Sequence, residues 1–200
     1  MMTNYPTLAD GCREYIRVVK RLVSLGMQSS TGGNISLLAE DGNMVITKRS
    51  GASLLDFRYE DLVVINKQGE LISGKGKPTK EVAFHLGLYN SVPDIGGIVH
   101  VHPPFATAFA CARKDLPLLT VHARRILQKV PRVKAFPDGS QELAAHVVEA
   151  FQEPAVKAAL LEEHGLVGVG KDLSAAENIV ELVEETAKTA FYTMFLLSAE

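Results

Sequence analysis

Hydrophobic and polar positions along this chain follow two different periods, and each change of period marks a predicted element. Over residues 8–25, apolar side chains recur with helical spacing between charged ones, and Gly26 follows as a helix end. Strand-like alternation then predicts one hairpin around an Asp-Gly-Asn turn at residues 41–43 and a second around a Gln-Gly turn at residues 68–69. Hairpins pair their strands in antiparallel fashion.

The second half of the chain mixes helical segments with short apolar strands. Helical spacing appears in four segments: residues 79–92, 104–114, 138–152 and 174–198. Short apolar runs predict strands at residues 95–102 and 130–136, and two strands that turn at His164 within residues 157–170. Together these elements predict an α/β protein with a mixed sheet, and the length predicts one domain over residues 1–200.

Composition and charge exclude several classes of partner. The net charge is −2 and the signs are mixed, so the chain lacks the basic stripe that binds a nucleic acid backbone. No apolar run approaches the roughly 18 residues that span a bilayer, and the start of the chain has no apolar signal-peptide core. We therefore expect a cytoplasmic protein that binds neither nucleic acid nor membrane. Cys12 and Cys111 lack disulfide or metal spacing and are expected to be reduced and buried.

Two histidines one residue apart close the apolar segment at residues 95–102. In a strand, alternate side chains point to one face, so His100 and His102 share a face. His164 precedes a glycine, where the chain can turn and leave the ring facing a cleft. Three neutral imidazoles could hold Zn²⁺ and leave a position open for water or substrate. The His-x-His pair alone fits a partly buried histidine bonded to a carbonyl equally well.

A carboxylate and two glycine-rich loops could complete such a site. Glu81 lies in the first turn of the predicted helix 79–92, where a surface acid that only stabilises the helix is the alternative interpretation. His85 shares its helix face, and we expect it in the core or behind the site rather than as a ligand. The loops "STGGNIS" and "KRSGAS", with the side chains of Asn34, Ser50 and Thr79, could cradle a phosphate.

Four sequence blocks carry a family resemblance. In order, "TGGNISLL", "SGKGKPTKEVAFHLGLY", "IVHVHPPFATA" and "LLEEHGLVGVGKDLSAAENIVELVEETAK" resemble the marker blocks of the class II aldolase/adducin family, across nearly the whole chain. Four blocks in the family's order are more specific than any one of them. The resemblance implies a three-layer α/β fold in which helices flank a central, largely antiparallel sheet. It also implies a homotetramer with active sites at subunit interfaces.

The resemblance also implies roles for individual residues. The implied zinc ligands are His100, His102 and His164, and the implied catalytic acid/base is Glu81. The implied phosphate subsite comprises Gly33, Asn34, Ser50, Gly51 and Thr79. Lys80 adds a cation beside that subsite. The family's aldolases carry a serine at this position, and there this chain is more similar to the family's decarboxylases of phosphorylated four-carbon keto acids. An imidazole-rich site could accept Mn²⁺, Co²⁺ or Fe²⁺ instead of Zn²⁺.

Three functions remain open at this stage. The first is a zinc-dependent aldolase that cleaves a C–C bond of a small phosphorylated ketose, such as fuculose 1-phosphate, through a metal-bound enediolate. The second is a metal-dependent decarboxylase of a phosphorylated four-carbon keto acid, and the third is a non-catalytic scaffold like the head domain of adducin. One departure from the family pattern is Ala123, which follows His122 where the aldolases carry a proton-donating tyrosine. We expect His122, Arg124 or Arg125 to take over that role.

Overall fold

The computed structural model describes residues 5–40 and 42–198. Its eight strands are β1 (Asn34–Ala39), β2 (Met44–Lys48), β3 (Leu62–Asn66), β4 (Leu71–Gly74), β5 (Gly97–Val101), β6 (Arg132–Val133), β7 (Ala158–Leu161) and β8 (Gly165–Gly170). They form one sheet in the order β4-β3-β2-β1-β5-β8-β7-β6. The β6–β7 pair is parallel, and the other neighbouring pairs of this sheet are antiparallel. The predicted central, largely antiparallel sheet is confirmed.

Six α-helices cover the two faces of the sheet. They are α1 (Leu8–Ser24), α2 (Val82–Ser91), α3 (Pro104–Cys111), α4 (Val121–Leu127), α5 (Gln141–Ala150) and α6 (Leu173–Ser198). Buried side chains of α1, α3, α4 and α6 form one hydrophobic cluster against the sheet, and those of α2 and α5 form a second cluster on the opposite face. The protein therefore has the three-layer arrangement that the resemblance implies.

The first helix shows how local sequence sets the ends of an element. The Thr7 side chain accepts a hydrogen bond from the backbone N–H of Asp10 and caps the start of α1. At the other end, Gly26 has φ +68°, a left-handed conformation that glycine adopts without steric cost. Between them, Tyr15 and Leu22 lie on the buried face against the sheet. The predicted helix over residues 8–25 is confirmed to within one residue.

The two predicted hairpins are also present. The first joins β1 to β2, and the predicted turn residue Gly42 has φ +85°. Asp41, the first residue of that predicted turn, lies outside the described residues. The second hairpin joins β3 to β4 around Gly69, which has φ +89°. The predicted strands before and after His164 are β7 and β8, which pair in antiparallel fashion.

Three details differ from the sequence-based expectations. Glu81 is not in the first turn of α2 but at its N-cap position, because its backbone (φ −94°, ψ 12°) is not yet helical, and its carboxylate contacts Asn34 and His100. Cys111 is exposed rather than buried, because it lies on the outer side of the last turn of α3. The seven-residue helix α4 and a 3-10 turn at Tyr59–Asp61 were not predicted, because elements this short show no helical period.

Within residues 5–40 and 42–198, none of the helices combines the length and the apolar character that crossing a membrane requires. The longest, α6, has 26 residues, but charged and small polar side chains interrupt its apolar positions. The exposed aromatic and aliphatic side chains of its last two turns are Phe191, Tyr192, Phe195, Leu196 and Leu197.

Candidate active site

A cavity of about 230 Å³ lies where β1, β5 and β8 approach the start of α2. Its lining combines histidine, carboxylate, lysine and hydroxyl groups with loop glycines. The lining residues are Thr31, Gly32, Gly33, Asn34, Lys48, Ser50, Gly51, Thr79, Lys80, Glu81, His102, Asp138 and His164. The sequence-predicted carboxylate, two of the three predicted histidines and all six predicted phosphate-binding residues thus line one cavity.

Three imidazole nitrogens converge beside this cavity. His100 lies near the end of β5, His102 follows that strand, and His164 precedes β8. Nε2 of His100 lies 3.1 Å from Nε2 of His102 and 3.2 Å from Nε2 of His164. His100 is fully buried and forms the floor of the cluster, while the other two rings are partly exposed. The strand alternation that predicted a shared face for His100 and His102 is therefore correct.

Two glycines allow the His102 ring to approach this position. A Cβ on Gly165 would lie 2.4 Å from Cδ2 of His102, and a Cβ on Gly32 would lie 2.7 Å from its Nδ1. Both distances are shorter than side-chain packing permits, so any larger residue would displace the ring. The glycine after His164 therefore provides space for a neighbouring histidine, whereas the left-handed residue of the turn before β8 is Glu163, with φ +59°.

The surroundings of the three rings determine which nitrogens face the cavity. The Nδ1 of His100 lies 3.0 Å from the carbonyl oxygen of Leu166 and donates to it, so Nε2 faces the cluster. Burial, reinforced by the charge of His100, lowers the pKa of His102 to about 3 and also lowers the pKa of His164. Both rings are thus neutral near pH 7, the form in which imidazole binds metal ions.

These residues fit a divalent cation. The candidate ligand nitrogens of His100, His102 and His164 all lie within 4.8 Å of one another. In a second group, the carboxylate oxygens of Glu81 and Asp138 and a ring nitrogen of His164 also lie within 4.8 Å of one another. Nitrogen lone pairs at 3.1–3.2 Å repel one another unless a proton or a cation lies among them. Three imidazoles are the ligand set of a catalytic zinc site that keeps a position open.

Glu81 contacts the histidine cluster directly. Its Oε2 accepts a hydrogen bond of 2.7 Å from Nδ2 of Asn34 and lies 3.2 Å from Nε2 of His100, while Oε1 lies 3.5 Å from Nε2 of His164. Burial alone would raise the pKa of Glu81, but the charge of His100 and hydrogen bonds from His100 and Asn34 lower it below its ordinary value. The carboxylate is therefore ionised and can accept a proton.

Where the end of β2, the loop after it and the loop before α2 form the cavity lining, they carry two lysines, Lys48 and Lys80. Lys48 ends β2, is buried, and donates from Nζ to the carbonyl oxygens of Thr31 and Ala52 at 2.9 and 2.8 Å. Burial lowers its pKa to about 8, although the charges of Glu81 and Asp61 oppose that shift. Near pH 7 the ammonium group is still charged, so this part of the cavity attracts an anion.

Backbone hydrogen bonds hold these two loops together. The N–H of Ser50 donates to the carbonyl oxygen of Lys77 at 2.8 Å, and the N–H of Thr79 donates to that of Lys48 at 3.0 Å. Arg49 and Pro78 form an isolated β-bridge between the same loops. Since these two N–H groups are occupied, Ser50 and Thr79 offer their hydroxyl groups to the cavity.

Sequence reasoning missed two lining residues. Lys48 follows Ile46 at strand spacing, and that alternation was the available signal that its side chain turns inward. Asp138 precedes α5 and places Oδ1 3.9 Å from Nε2 of His164, a contact between distant segments that no local pattern reveals. Conversely, the suggested tyrosine replacements do not line this cavity: His122, Arg124 and Arg125 are exposed on α4.

Comparison with known proteins identifies the family. The family model for the Class II Aldolase and Adducin N-terminal domain matches residues 13–191. The chain is 35% identical over 175 residues to a Methanococcus maripaludis protein named L-fuculose phosphate aldolase, covering 88% of this chain and 93% of the relative. It is 32% identical over 196 residues to an Escherichia coli O6:H1 protein named 3-oxo-tetronate 4-phosphate decarboxylase, covering 95% of this chain and 91% of the relative.

A solved structure shares the same fold. The L-fuculose-1-phosphate aldolase from Thermus thermophilus superposes with a TM-score of 0.85 at 26% identity, over 96% of this chain and 98% of that chain. The family match spans the sheet, the cavity and most of α6. The chain therefore belongs to the class II aldolase and adducin family and is a lyase of the class II aldolase kind.

Proposed function

We propose that this protein is a metal-dependent aldolase that cleaves a C–C bond of a small phosphorylated ketose. The observation that carries the proposal is a cluster of three imidazoles and a carboxylate beside a cavity whose lining also includes two lysines and loop hydroxyls. The relative named L-fuculose phosphate aldolase is named for a substrate of this class. A phosphorylated sugar has a reacting carbon that matches the imidazoles and the carboxylate, and an anionic group that matches the lysines and hydroxyls.

His100, His102 and His164 would hold the metal, and Zn²⁺ is our first choice, with Mn²⁺, Co²⁺ or Fe²⁺ as alternatives. When bound, the divalent ion would supply electrophilic stabilisation of the negative charge that C–C cleavage leaves on the substrate. Glu81 would exchange a proton with the carbon of the cleaved fragment, as an ionised carboxylate within the cluster can.

The loops that line the cavity would bind the phosphate group. Gly33, Asn34, Ser50, Gly51, Thr79 and Lys80 are the proposed phosphate-binding residues, and Lys48 joins them. Hydroxyl donors and charged ammonium groups form short, strong hydrogen bonds with a phosphate dianion. The side-chain amide of Asn34 also contacts Glu81 and the buried ring of His85, so this residue connects the cavity to the layer behind it.

A second candidate is a decarboxylase of a phosphorylated four-carbon keto acid. Lys80 favours it, because an exposed ammonium group in the cavity lining could orient the carboxylate that leaves as CO₂. The Escherichia coli O6:H1 relative is named as an enzyme of this type. Both candidates require the same metal ligands and differ in which fragment leaves.

The deciding experiment assays the purified protein against a panel of phosphorylated ketoses and phosphorylated keto acids, scoring aldehyde and CO₂ separately. We expect aldehyde release that a chelator abolishes and a divalent metal restores. Release of CO₂ alone would establish the second candidate, and turnover that survives complete metal removal would contradict both.

We also propose a homotetramer whose active sites include residues of a neighbouring subunit. An apolar cavity of about 440 Å³ lies between α3 and the end of α6, where Phe191 and Phe195 are half exposed or more. Exposed apolar patches of this kind mark protein–protein contacts. Helix α4 would then offer His122 to a neighbour rather than to its own cavity. Light scattering on the purified protein tests the assembly.

A further inference from the structure

A buried chain of hydrogen bonds runs from Glu81 into the layer between α2 and β1. Glu81, His85 and Tyr89 are four residues apart at and along α2, and Asn34 and Ser36 are two apart on β1, so each set shares a face. All five residues are at most 7% exposed. From its position on the helix face, His85 was expected only in the core or behind the site.

The two sets interlock along their length. Nδ2 of Asn34 donates to Oε2 of Glu81 at 2.7 Å, and Oδ1 of Asn34 lies 2.5 Å from Nε2 of His85. Nδ1 of His85 lies 2.7 Å from Oγ of Ser36, which lies 2.8 Å from the Tyr89 hydroxyl. The chain therefore ends at the carboxylate on one side and at the tyrosine on the other.

The hydrogen bond from Nδ2 of Asn34 to Oε2 of Glu81 sets the direction of every other bond in this chain. A carboxylate only accepts, so the amide nitrogen of Asn34 must face Glu81 and its oxygen must face His85. The amide oxygen also only accepts, so Nε2 of His85 carries the hydrogen. Burial lowers the pKa of His85 to about 3, and a neutral ring with Nε2–H has a bare Nδ1 that accepts from Ser36. Ser36 then accepts from Tyr89.

The two oxygens of Glu81 are therefore unequal. Oε2 accepts the hydrogen bond from Asn34 and lies beside Nε2 of His100. Oε1 is buried and has no hydrogen-bond partner among the described residues. Rotation of the Asn34 amide by half a turn would place its oxygen against the carboxylate, and the N–H of His85 prevents this. We propose that His85 is a positioning residue that locks the Asn34 amide, so that Oε2 of Glu81 is held and Oε1 remains free to exchange the substrate proton.

This inference rests on the proposed function, since it names the carboxylate oxygen that would exchange the proton. A purely structural role predicts something different: loss of His85 would then lower stability and metal content together with activity. A positioning role predicts a fall in kcat that exceeds any rise in KM, at unchanged stability and metal content, because only the side chain of Asn34 is released while the metal ligands stay in place.

The first test uses the metal-free protein and needs no activity. Nitrogen-15 NMR of the histidine rings should show His85 as the neutral Nε2–H tautomer between pH 5 and pH 8 (about the range in which a free histidine titrates). The Nδ1–H tautomer, or titration of His85 within that range, would overturn the proposal. This measurement remains decisive even if the panel of phosphorylated substrates shows no turnover, an outcome that would overturn the proposed function instead.

The second test compares variants of His85 in the metal-loaded enzyme. We expect His85→Leu to lower kcat by about tenfold or more, with a smaller change in KM and unchanged metal content, because displacing a catalytic group by an ångström can cost about a hundredfold. His85→Gln keeps an N–H at the position of Nε2 and should restore most of the loss. Equal kcat in the two variants, or wild-type kcat in His85→Leu, would contradict the proposal.

A matched control separates positioning from general weakening of α2. Leu88 is fully buried on the same helix and belongs to the apolar cluster, outside the hydrogen-bond chain. Leu88→Ala should lower the melting temperature while leaving kcat near the wild-type value. A fall in kcat in Leu88→Ala that matches His85→Leu at equal stability would assign the effect to packing and overturn the proposal.

Discussion

Oε2 of Glu81 lies 3.2 Å from Nε2 of His100, within hydrogen-bonding distance and in a buried setting. The carboxylate raises the pKa of His100, although burial opposes the shift, and the histidine lowers the pKa of Glu81. A proton or a cation can therefore occupy the same side of His100, and each would hold Glu81 in its ionised form. This pair links the proposed acid/base to the proposed metal ligands.

Loss of a metal ligand should empty the site. We expect the purified protein to bind about one divalent ion per chain, and His100→Ala and His164→Ala each to lose most of it, since three imidazoles are needed to hold the ion. His146→Ala is the control, because His146 is an exposed histidine on α5. Elemental analysis after gel filtration measures the ratio, and undiminished metal in both ligand variants would remove the proposed site.

Glu81→Gln should separate chemistry from metal binding. The amide is nearly isosteric with the carboxylate but cannot accept and return a proton, so turnover should fall by roughly a hundredfold or more. Metal content and the melting temperature should stay close to wild type. The exposed carboxylate Glu149 provides the control substitution Glu149→Gln. Wild-type turnover in Glu81→Gln would transfer the proton exchange to another group.

Inorganic phosphate should bind where the loops line the cavity. At millimolar concentration we expect it to raise the melting temperature and to inhibit competitively, because Lys48, Lys80 and the hydroxyls of Ser50 and Thr79 can surround a dianion. A dephosphorylated substrate should bind much more weakly for the same reason. If phosphate neither protects nor inhibits, the subsite lies elsewhere and only the metal-dependent lyase remains.

Lys80→Ser distinguishes the two proposed reactions. An aldolase should tolerate this change, because the family resemblance implies a serine at this position in the aldolases. A decarboxylase should lose affinity for the keto acid selectively, because Lys80 would no longer attract its carboxylate. Steady-state KM values for a ketose phosphate and a keto acid phosphate, compared in wild type and variant, decide between them.

The pH dependence of kcat/KM should contain a contribution from Lys48. Burial lowers its pKa to about 8, so the free enzyme loses this positive charge as the pH rises through 8. Phosphate binding weakens when the ammonium group becomes neutral, and kcat/KM should therefore fall on the alkaline side. Lys48→Met should have a lower kcat/KM at pH 7 and lack this alkaline limb. An identical limb in the variant would assign it to another group.

Much of the fold was predictable because its signals are local. Turn residues marked both hairpins, Gly26 marked the end of α1, and helical spacing located α6 to within a residue of its start. Helix α4 escaped because two turns are too short to establish a period. The exposure of Cys111 depends on which side of α3 packs against the sheet, and that follows from tertiary structure.

The site, too, has residues that local sequence patterns predict and others whose position depends on tertiary structure. His100 and His102 could be paired from strand alternation, whereas the meeting of His164 with Glu81 at 3.5 Å depends on the order of β1, β5 and β8 in the sheet. Strand alternation after Ile46 could have pointed Lys48 inward, whereas Asp138 comes from a distant segment and only the assembled cavity reveals it. The roles of the predicted metal, acid/base and phosphate-binding residues remain predictions that the variants above will test.

The bridge between Arg49 and Pro78 ties together two loops that stand apart from the central strands carrying His100 and Asn34. His100 is thus held by pairing of β5 with β1 and β8, whereas Ser50, Gly51 and Thr79 lie in loops that are joined by hydrogen bonds of their own. We expect substitutions of these loop residues to leave the imidazoles in place. One scaffold could in this way acquire new substrates by loop replacement, and laboratory evolution of this protein should begin at those loops.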